Sequence, residues 1–284
     1  MDIDLDHRLR ACRRTPLIQP NNFTLDVEHH KCGQLDITVV RDDILCGGTK
    51  SRVLYPYLIE SGLADKYNEF VYVSPWYGGA QIALAWTCAL LTQERKKPYQ
   101  AILFIEAPPG LETTIFDGAS SDVNDPRIPS YTKVALSYGA KVVFVPQGSE
   151  YLRAKRYCKI KKAHLLPPGF NVPYVVDVIS ILGQEIISRY GYFDECWAAV
   201  GSGALISGLQ KSNLAKEYYG VCVFQTCPDI GKAVPIIPEI SFKQTYTWDT
   251  FPPFPSTLRY DAKVWKYLQE RSLEKKRVLF WNVM

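Results

Sequence analysis

Short apolar runs at 35–40, 70–73, 101–105, 141–145, 196–200, 221–225 and 278–281 have the length and the β-branched or aromatic content of buried strands. Between them, residues 53–61, 80–91, 130–138, 174–189 and 262–271 carry apolar positions at helical spacing, and Gly62 and Gly139 stand where glycine ends a helix. Alternation of this kind predicts an α/β protein built from parallel βαβ units, with helices covering the sheets. Arg14-Thr15-Pro16-Leu17 reads as an extended lead-in fixed by its proline, and the proline- and aromatic-rich tract 248–255 as loop. The basic run over 153–162, followed by Leu165-Leu166-Pro167-Pro168-Gly169, reads as a boundary between two lobes.

Composition changes this picture little. The chain has 284 residues, 47% hydrophobic and 22% charged, which suits a folded protein large enough for two lobes. No apolar run approaches the roughly 20 residues that span a bilayer, and Met1-Asp2-Ile3-Asp4 is unlike a secretory signal, so a cytoplasmic protein with no membrane partner is expected. The eight cysteines form no CxxC pair and lie mostly in apolar runs, predicting reduced core thiols. His29-His30 precede a turn and His164 adjoins the basic run, so no metal centre is expected. The net charge of +4 is uneven: Arg153, Lys155, Arg156, Lys159, Lys161 and Lys162 crowd together, with smaller knots at Arg95-Lys96-Lys97 and Lys275-Lys276-Arg277. Such runs suit a solvated surface and equally a phosphate-rich polymer.

Two stretches carry candidate chemistry. In Arg41-Asp42-Asp43-Ile44-Leu45-Cys46-Gly47-Gly48-Thr49-Lys50-Ser51-Arg52, a strand passes through paired glycines into a helix and leaves Lys50 at the junction. A lysine held against apolar surroundings loses its proton more readily and becomes a nucleophile towards an aldehyde. In Gly201-Ser202-Gly203-Ala204-Leu205-Ile206-Ser207-Gly208, glycines between an apolar strand and a helix let backbone N–H groups converge on a phosphate, with Ser202 and Ser207 as hydroxyl donors.

A lysine turn first and a glycine cradle late is an order that resembles the fold type II pyridoxal phosphate enzymes, within them the aminocyclopropane-carboxylate deaminase and D-cysteine desulfhydrase branch of the tryptophan synthase β superfamily. Arg41 to Arg52 resembles the cofactor-lysine motif, Leu166 to Asn171 the glycine turn before a long helix, Gly201 to Leu205 the phosphate cradle, and Leu258-Arg259-Tyr260-Asp261-Ala262-Lys263 the segment bearing an active-site tyrosine and an acid. The resemblance implies a large domain of residues 1–50 and 167–284, a small domain of 51–166 inserted in it, and a homodimer. It implies pyridoxal 5'-phosphate on Lys50, the phosphate held by Gly201, Ser202, Gly203, Ala204 and Leu205, Asp261 protonating the pyridine nitrogen, and Tyr260 exchanging protons with substrate. Asp261 as a plain helix cap and Tyr260 as a core aromatic are the competing readings.

The chain departs from that branch at Thr49, usually asparagine, and in the carboxylate loop, where Ser74 and Tyr77-Gly78-Gly79-Ala80-Gln81 replace a serine–asparagine pair. The final strand also lacks the usual glycine pair. The implied activity is carbanion chemistry at the α-carbon of an amino acid or amino-acid-bearing molecule, with deamination, desulfhydration, β-elimination or replacement, and decarboxylation all open. The altered loop, the basic knots and Trp248, Phe251 and Phe254 suit a substrate amino acid attached to a nucleotide or DNA base, as in the viral DNA-hypermodification proteins this fold resembles. A catalytically inactive binding scaffold is the non-enzymatic alternative. A dinucleotide-dependent oxidoreductase lacks its ribose-binding acid at Gln225-Thr226-Cys227.

Overall fold

The structure, a computed structural model, describes residues 17–18, 24–111, 114–117, 125–224, 226–240, 244 and 251–284. Arg14-Thr15-Pro16 of the expected lead-in, Gln225 and Trp248 lie outside the described residues. In chain order the elements are β1 (Val27–Cys32), β2 (Leu35–Arg41), α1 (Thr49–Glu60), α2 (Leu63–Lys66), β3 (Glu69–Val73), α3 (Gly79–Arg95), β4 (Gln100–Glu106), β5 (Ile115–Asp117), α4 (Ser130–Ser137), β6 (Lys141–Val145), α5 (Glu150–Lys161), β7 (His164–Leu165), α6 (Pro173–Tyr190), β8 (Phe193–Val200), α7 (Ala204–Lys211), β9 (Ala215–Cys222), β10 (Val234–Ile236), α8 (Ala262–Gln269) and β11 (Arg277–Asn282). The chain divides into two compact units, one containing Leu45–Pro168 and the other Thr24–Ile44 with Gly169–Met284. The sequence puts the change-over at 50/51 and 166/167; the compact units change over at 44/45 and 168/169, so Lys50 belongs to the first unit.

The first unit holds a five-stranded sheet in the order β5-β6-β4-β3-β7, parallel except for β5 against β6. Its central strands are apolar between their ends, as strands covered on both faces are: Phe70, Val71 and Tyr72 on β3 and Ala101 to Ile105 on β4 are buried. Helix α3 is apolar on nearly every side and buried from Gly79 to Cys88, which marks it as the interior helix of this unit.

The second unit holds a six-stranded sheet in the order β1-β2-β11-β8-β9-β10, with only β1 antiparallel to its neighbour. The last strand is central: Trp281 on β11 is in register with Val40 of β2 on one side and Ala198 of β8 on the other. One face packs Leu35, Ile37, Val39, Trp197, Val221 and Phe280 against Val264, Trp265 and Leu268 of α8. Helices α6 and α7 meet through Gly208, where an added Cβ would sit 2.5 Å from the Ile179 Cβ.

Three sequence expectations are corrected. The basic run 153–162 is not a boundary but α5, whose Ala154, Tyr157 and Cys158 pack on β3 and β4 with Val71, Ile102 and Phe104. The strand expected at 221–225 lies at Ala215–Cys222, because Glu217 and Tyr219 interrupt the apolar pattern while pairing with Glu195 and Trp197 of β8 keeps them in the ladder. Cys222 and Cys227, expected as thiols, form a disulfide with Cα atoms 5.4 Å apart; the chain turns back after β9 and brings them together. Cys46, Cys88 and Cys196 are buried free thiols, as the apolar runs predict. Strand β1 was hidden by the polar His29-His30-Lys31 of an edge position.

Candidate active site

Lys50 stands in the first turn of α1, partly buried. The chain reaches it through Gly47 and Gly48, with φ of 85° and 68°, values that favour glycine. A Cβ on Gly47 would lie 2.6 Å from the backbone nitrogen of Ala83, so the bare glycine is what lets the lysine turn seat on α3. Cys46 Sγ donates to Tyr138 Oη at 3.3 Å and Gly48 N–H to Leu45 O at 3.0 Å, fixing the turn from both sides.

Upstream, the acidic pair of the lysine motif has a structural duty. Arg41 makes a two-pronged contact with Asp43 at 2.7 and 2.8 Å, Trp281 Nε1 donates to Asp42 at 3.0 Å, and Asn282 Nδ2 donates to Asp43 at 2.8 Å. Fully buried Asn282 also donates to Pro255 O at 2.7 Å and accepts from Ser256 Oγ at 2.8 Å. The sequence marks this strand end only by its lack of a glycine pair; the β2–β11 register places Asn282 opposite Arg41 and so beside the acidic pair.

The expected substrate loop runs between β3 and α3. Ser74 is buried and its Oγ donates to Pro75 O at 3.1 Å, while a Cβ on Gly78 would come within 2.7 Å of that Oγ. Tyr77 precedes this glycine, half-buried. Gly79 and Ala80 open α3, where the first N–H groups of a helix have no partner within the helix. Gln81 braces this loop. Its fully buried amide donates to Pro75 O at 3.2 Å and Trp76 O at 2.9 Å and accepts from Thr132 Oγ1 at 2.9 Å, which leaves it holding the loop shut. The lysine turn and this loop are neighbours within the first unit, because Gly47 seats on Ala83 one turn beyond Gly79 and Ala80.

In the second unit Gly201, Ser202 and Gly203 follow the C-terminal end of β8, and Ala204 and Leu205 begin α7. A Cβ on Gly201 would meet Tyr260 Oη at 2.9 Å and Phe224 Cε2 at 3.2 Å. The structure thus brings together Tyr260 and the glycine turn, which the sequence separates by nearly sixty residues. Gly203 has φ 87°, and a Cβ there would lie 3.4–3.7 Å from Pro228, Asp229 and Ile230. The turn is braced from behind: Asn171 Nδ2 donates to Ser202 O at 2.7 Å, and Gly169, at φ 62°, approaches so closely that its Cβ would lie 2.3 Å from the Ser202 side chain. A small anion seated on such N–H groups at a helix start needs no side chain there, and any side chain would fill the space.

Asp261 is fully buried at the start of α8 and makes no side-chain capping bond, so the plain helix-cap reading does not hold. Its Oδ2 accepts instead from the Met284 N–H at 2.9 Å. Two residues on, Lys263 is also fully buried, and burial, with Arg259 adding, pushes its pKa down to about 8. This amine lies in the motif read for its tyrosine and acid alone. Among the described residues no group of three His, Cys, Asp or Glu is placed to hold a metal, and no helix is long and apolar enough to cross a membrane.

Comparison with solved structures gives likenesses along nearly the whole chain. A crystal structure of an ACC deaminase homologue superposes with a TM-score of 0.64 at 14% identity, covering 97% of this chain and 94% of that one. A hydrogen sulfide-producing enzyme from Fusobacterium nucleatum gives 0.66 at 14%, covering 95% and 97%. An O-ureido-L-serine synthase gives 0.63 at 12%, covering 97% and 90%. This is the fold of the fold type II pyridoxal phosphate enzymes. No family model and no curated protein matches the sequence. With this fold, the first unit carries Lys50 and the loop 74–81, and the second carries the cradle 201–205 with Tyr260 and Asp261.

Proposed function

We propose that the protein is a pyridoxal phosphate-dependent enzyme of the lyase or deaminase kind, working at the α-carbon of an amino acid or an amino-acid-bearing molecule. One observation carries the reading: a glycine turn at a helix start, kept free of side chains by Gly201 and Gly203, with the hydroxyl of Tyr260 against it and the carboxyl of Asp261 buried next to that tyrosine. The residues present fit the cofactor. An amine in a tight turn, a cradle for a phosphate and a buried carboxyl are the groups it requires.

Lys50 would hold the cofactor through its amine and, once released by substrate, take or return the proton at the α-carbon. The N–H groups of Gly201 to Leu205 would bind the phosphate at the start of α7, where the helix dipole favours negative charge. Asp261 would hold a proton at the pyridine nitrogen; being fully buried, its charge acts with little screening. When bound, the cofactor supplies an electron sink that loosens bonds to the substrate α-carbon. Tyr260 would orient the substrate or move a proton to its leaving group. The substrate carboxylate would be taken by the N–H groups of Gly79 and Ala80 beside Ser74 and Tyr77, with Gln81 holding their loop in place.

The test is cofactor uptake. Purified protein mixed with pyridoxal phosphate should gain an absorption band in the visible, and borohydride reduction should fix one cofactor mass on the peptide bearing Lys50. Lys50→Ala should do neither. A protein that takes up no cofactor, or whose Lys50→Ala variant colours to the same extent, would refute the proposal.

A further inference from the structure

The three basic knots of the sequence have different fates. Arg95 pairs with Asp65 at 2.5 Å, and Lys97 lies over the Tyr99 ring. In the knot at 275–277, Lys276 meets Glu195 and Glu274, while the Arg277 guanidinium donates to Tyr192 O at 2.8 Å and Tyr190 O at 2.6 Å. The knot on α5 is different. Among the described residues Arg153, Lys155, Arg156, Lys159, Lys161 and Lys162 take part in no ion pair, and all six are exposed; Lys155 lies over the Tyr151 ring of its own helix at 4.6 Å, which leaves its charge without an anionic partner.

The charge is concentrated to match. One glutamate against six cations gives residues 150–162 a charge of +5, which leaves −1 for the rest of a chain whose total is +4. The whole positive excess therefore rides on one helix about 18 Å long, at 1.5 Å per residue, and its C-cap Lys162. Its inner side, Ala154, Tyr157 and Cys158, is fixed on the sheet of the first unit, with Tyr157 Oη donating to Glu69 at 3.0 Å. Lys155, Arg156 and Lys159 lie at three- and four-residue spacing on the opposite side and point outward together. Tyr151, Leu152 and Ile160 are the exposed large apolar residues of the helix, at 47%, 72% and 67%, with cations between the first two and the third. They form no stripe that could enter a membrane, since the helix's apolar side is already covered.

We infer that the outer face of α5 is a docking surface for the phosphate backbone of a nucleic acid. A row of cations without anionic partners on one helix matches a row of phosphates, and its attraction arises from release of the counterions that both surfaces hold. Contacts of this kind position a polymer without reading its sequence. The inference rests on α5 alone and stands or falls separately from the cofactor proposal.

Fluorescence anisotropy with a short fluorescein-labelled DNA duplex tests it. Affinity should fall linearly as salt rises on a log–log plot, and the combined variant Lys155→Gln, Arg156→Gln, Lys159→Gln should bind at least about tenfold more weakly at low salt, with the salt slope reduced by about 2.7 for three lost phosphate contacts. Cofactor uptake and the melting temperature of that variant should match the parent, because all three side chains are exposed. In the unsubstituted protein the duplex should protect Lys155 and Lys159 from acetylation, a reading independent of any variant's folding. No binding at the lowest salt, binding indifferent to the three substitutions, unprotected lysines, or adsorption to phosphatidylserine vesicles in place of DNA would each overturn the inference.

Discussion

Gly201 and Gly203 stand two residues apart in the cradle and should fail on substitution for different reasons. Gly201 has a backbone that any residue adopts, but its Cβ would lie 2.9 Å from Tyr260 Oη and 3.2 Å from Phe224 Cε2. Both are ends of side chains, so Gly201→Ala is accommodated by moving Tyr260 outward by roughly half an ångström, a strain of the size that the lower entropy of the unfolded alanine chain offsets, about 0.4–1 kcal/mol. Gly203 has room, with its nearest neighbour at 3.4 Å, but its φ of 87° lies in the left-handed region. Alanine there costs about 1–2 kcal/mol. In a domain of this size 1 kcal/mol moves the melting temperature by about 2–4 °C, so Gly203→Ala should melt roughly 2–8 °C below the parent, and Gly201→Ala within about 2 °C of it.

Cofactor affinity should rank the other way for Gly201. A methyl group there fills the cradle and displaces the tyrosine hydroxyl; loss of one hydrogen bond to a charged group, about 1.5–3 kcal/mol, weakens pyridoxal phosphate binding by roughly tenfold to a hundredfold. Thermal melts without cofactor, set beside absorbance titration with it, separate the two effects. A Gly201→Ala protein that melts like the parent and also binds pyridoxal phosphate like the parent would refute the placement of the phosphate on this turn. An unchanged melting temperature for Gly203→Ala would refute the strain argument.

Three further outcomes follow from buried groups. Glu195, fully buried, receives Trp197 Nε1 at 2.8 Å and pairs with Arg271 at 2.7 Å and with Lys276, so Glu195→Ala should cost about 3–5 kcal/mol in denaturant unfolding, and a loss below about 1 kcal/mol would contradict the network. Reduction of the Cys222–Cys227 bridge frees a short loop and should lower stability by about 2 kcal/mol, while thiol titration of the unfolded chain should find two more thiols after reduction than before. Burial holds the His164 imidazole below its ordinary value of 6.5. The unfolded chain then binds the proton more readily than the folded one, so stability is complete above that pH and falls as pH drops below it towards the depressed folded value. Melting curves between about pH 7.5 and 5.5 should show this slope, and His164→Phe should flatten it.

Much of the framework was legible because burial writes itself into sequence. Strands β3, β4, β6 and β11 are apolar between their ends, and their expected limits fall within a residue of those observed. Polar strands escaped the same reading: β1 carries His29-His30-Lys31 at a sheet edge, and β9 carries Lys216, Glu217 and two tyrosines whose pairing partners are set by tertiary contacts. In the candidate site the glycines announced their turns, since Gly47, Gly169 and Gly203 all have positive φ. Side-chain direction was not legible. Gln81 is as polar in sequence as any ligand, and only the carbonyls of Pro75 and Trp76 show that its amide is already engaged. The Cys222–Cys227 bridge was missed for a related reason, because a separation of five residues becomes a bridging distance only once the strand end turns.

The backbone segment that carries Tyr260 to the glycine turn is held by bonds on either side of that residue. Asn282 at the end of β11 ties Asp43 after β2 to Ser256 and Pro255, Met284 N–H donates to Asp261, and Thr257 N–H donates to Met284 O at 3.0 Å. The C-terminal residues 282–284, themselves tied to Asp43 after β2, therefore hold residues 255–261 against the end of β11. Under the proposed function, a Tyr260 hydroxyl carried on a segment held in this way would need little reorganisation when charge develops beside it. The missing glycine pair after the last strand then has a physical counterpart: in this chain the strand end acts through the amide of Asn282 and the backbone of Met284.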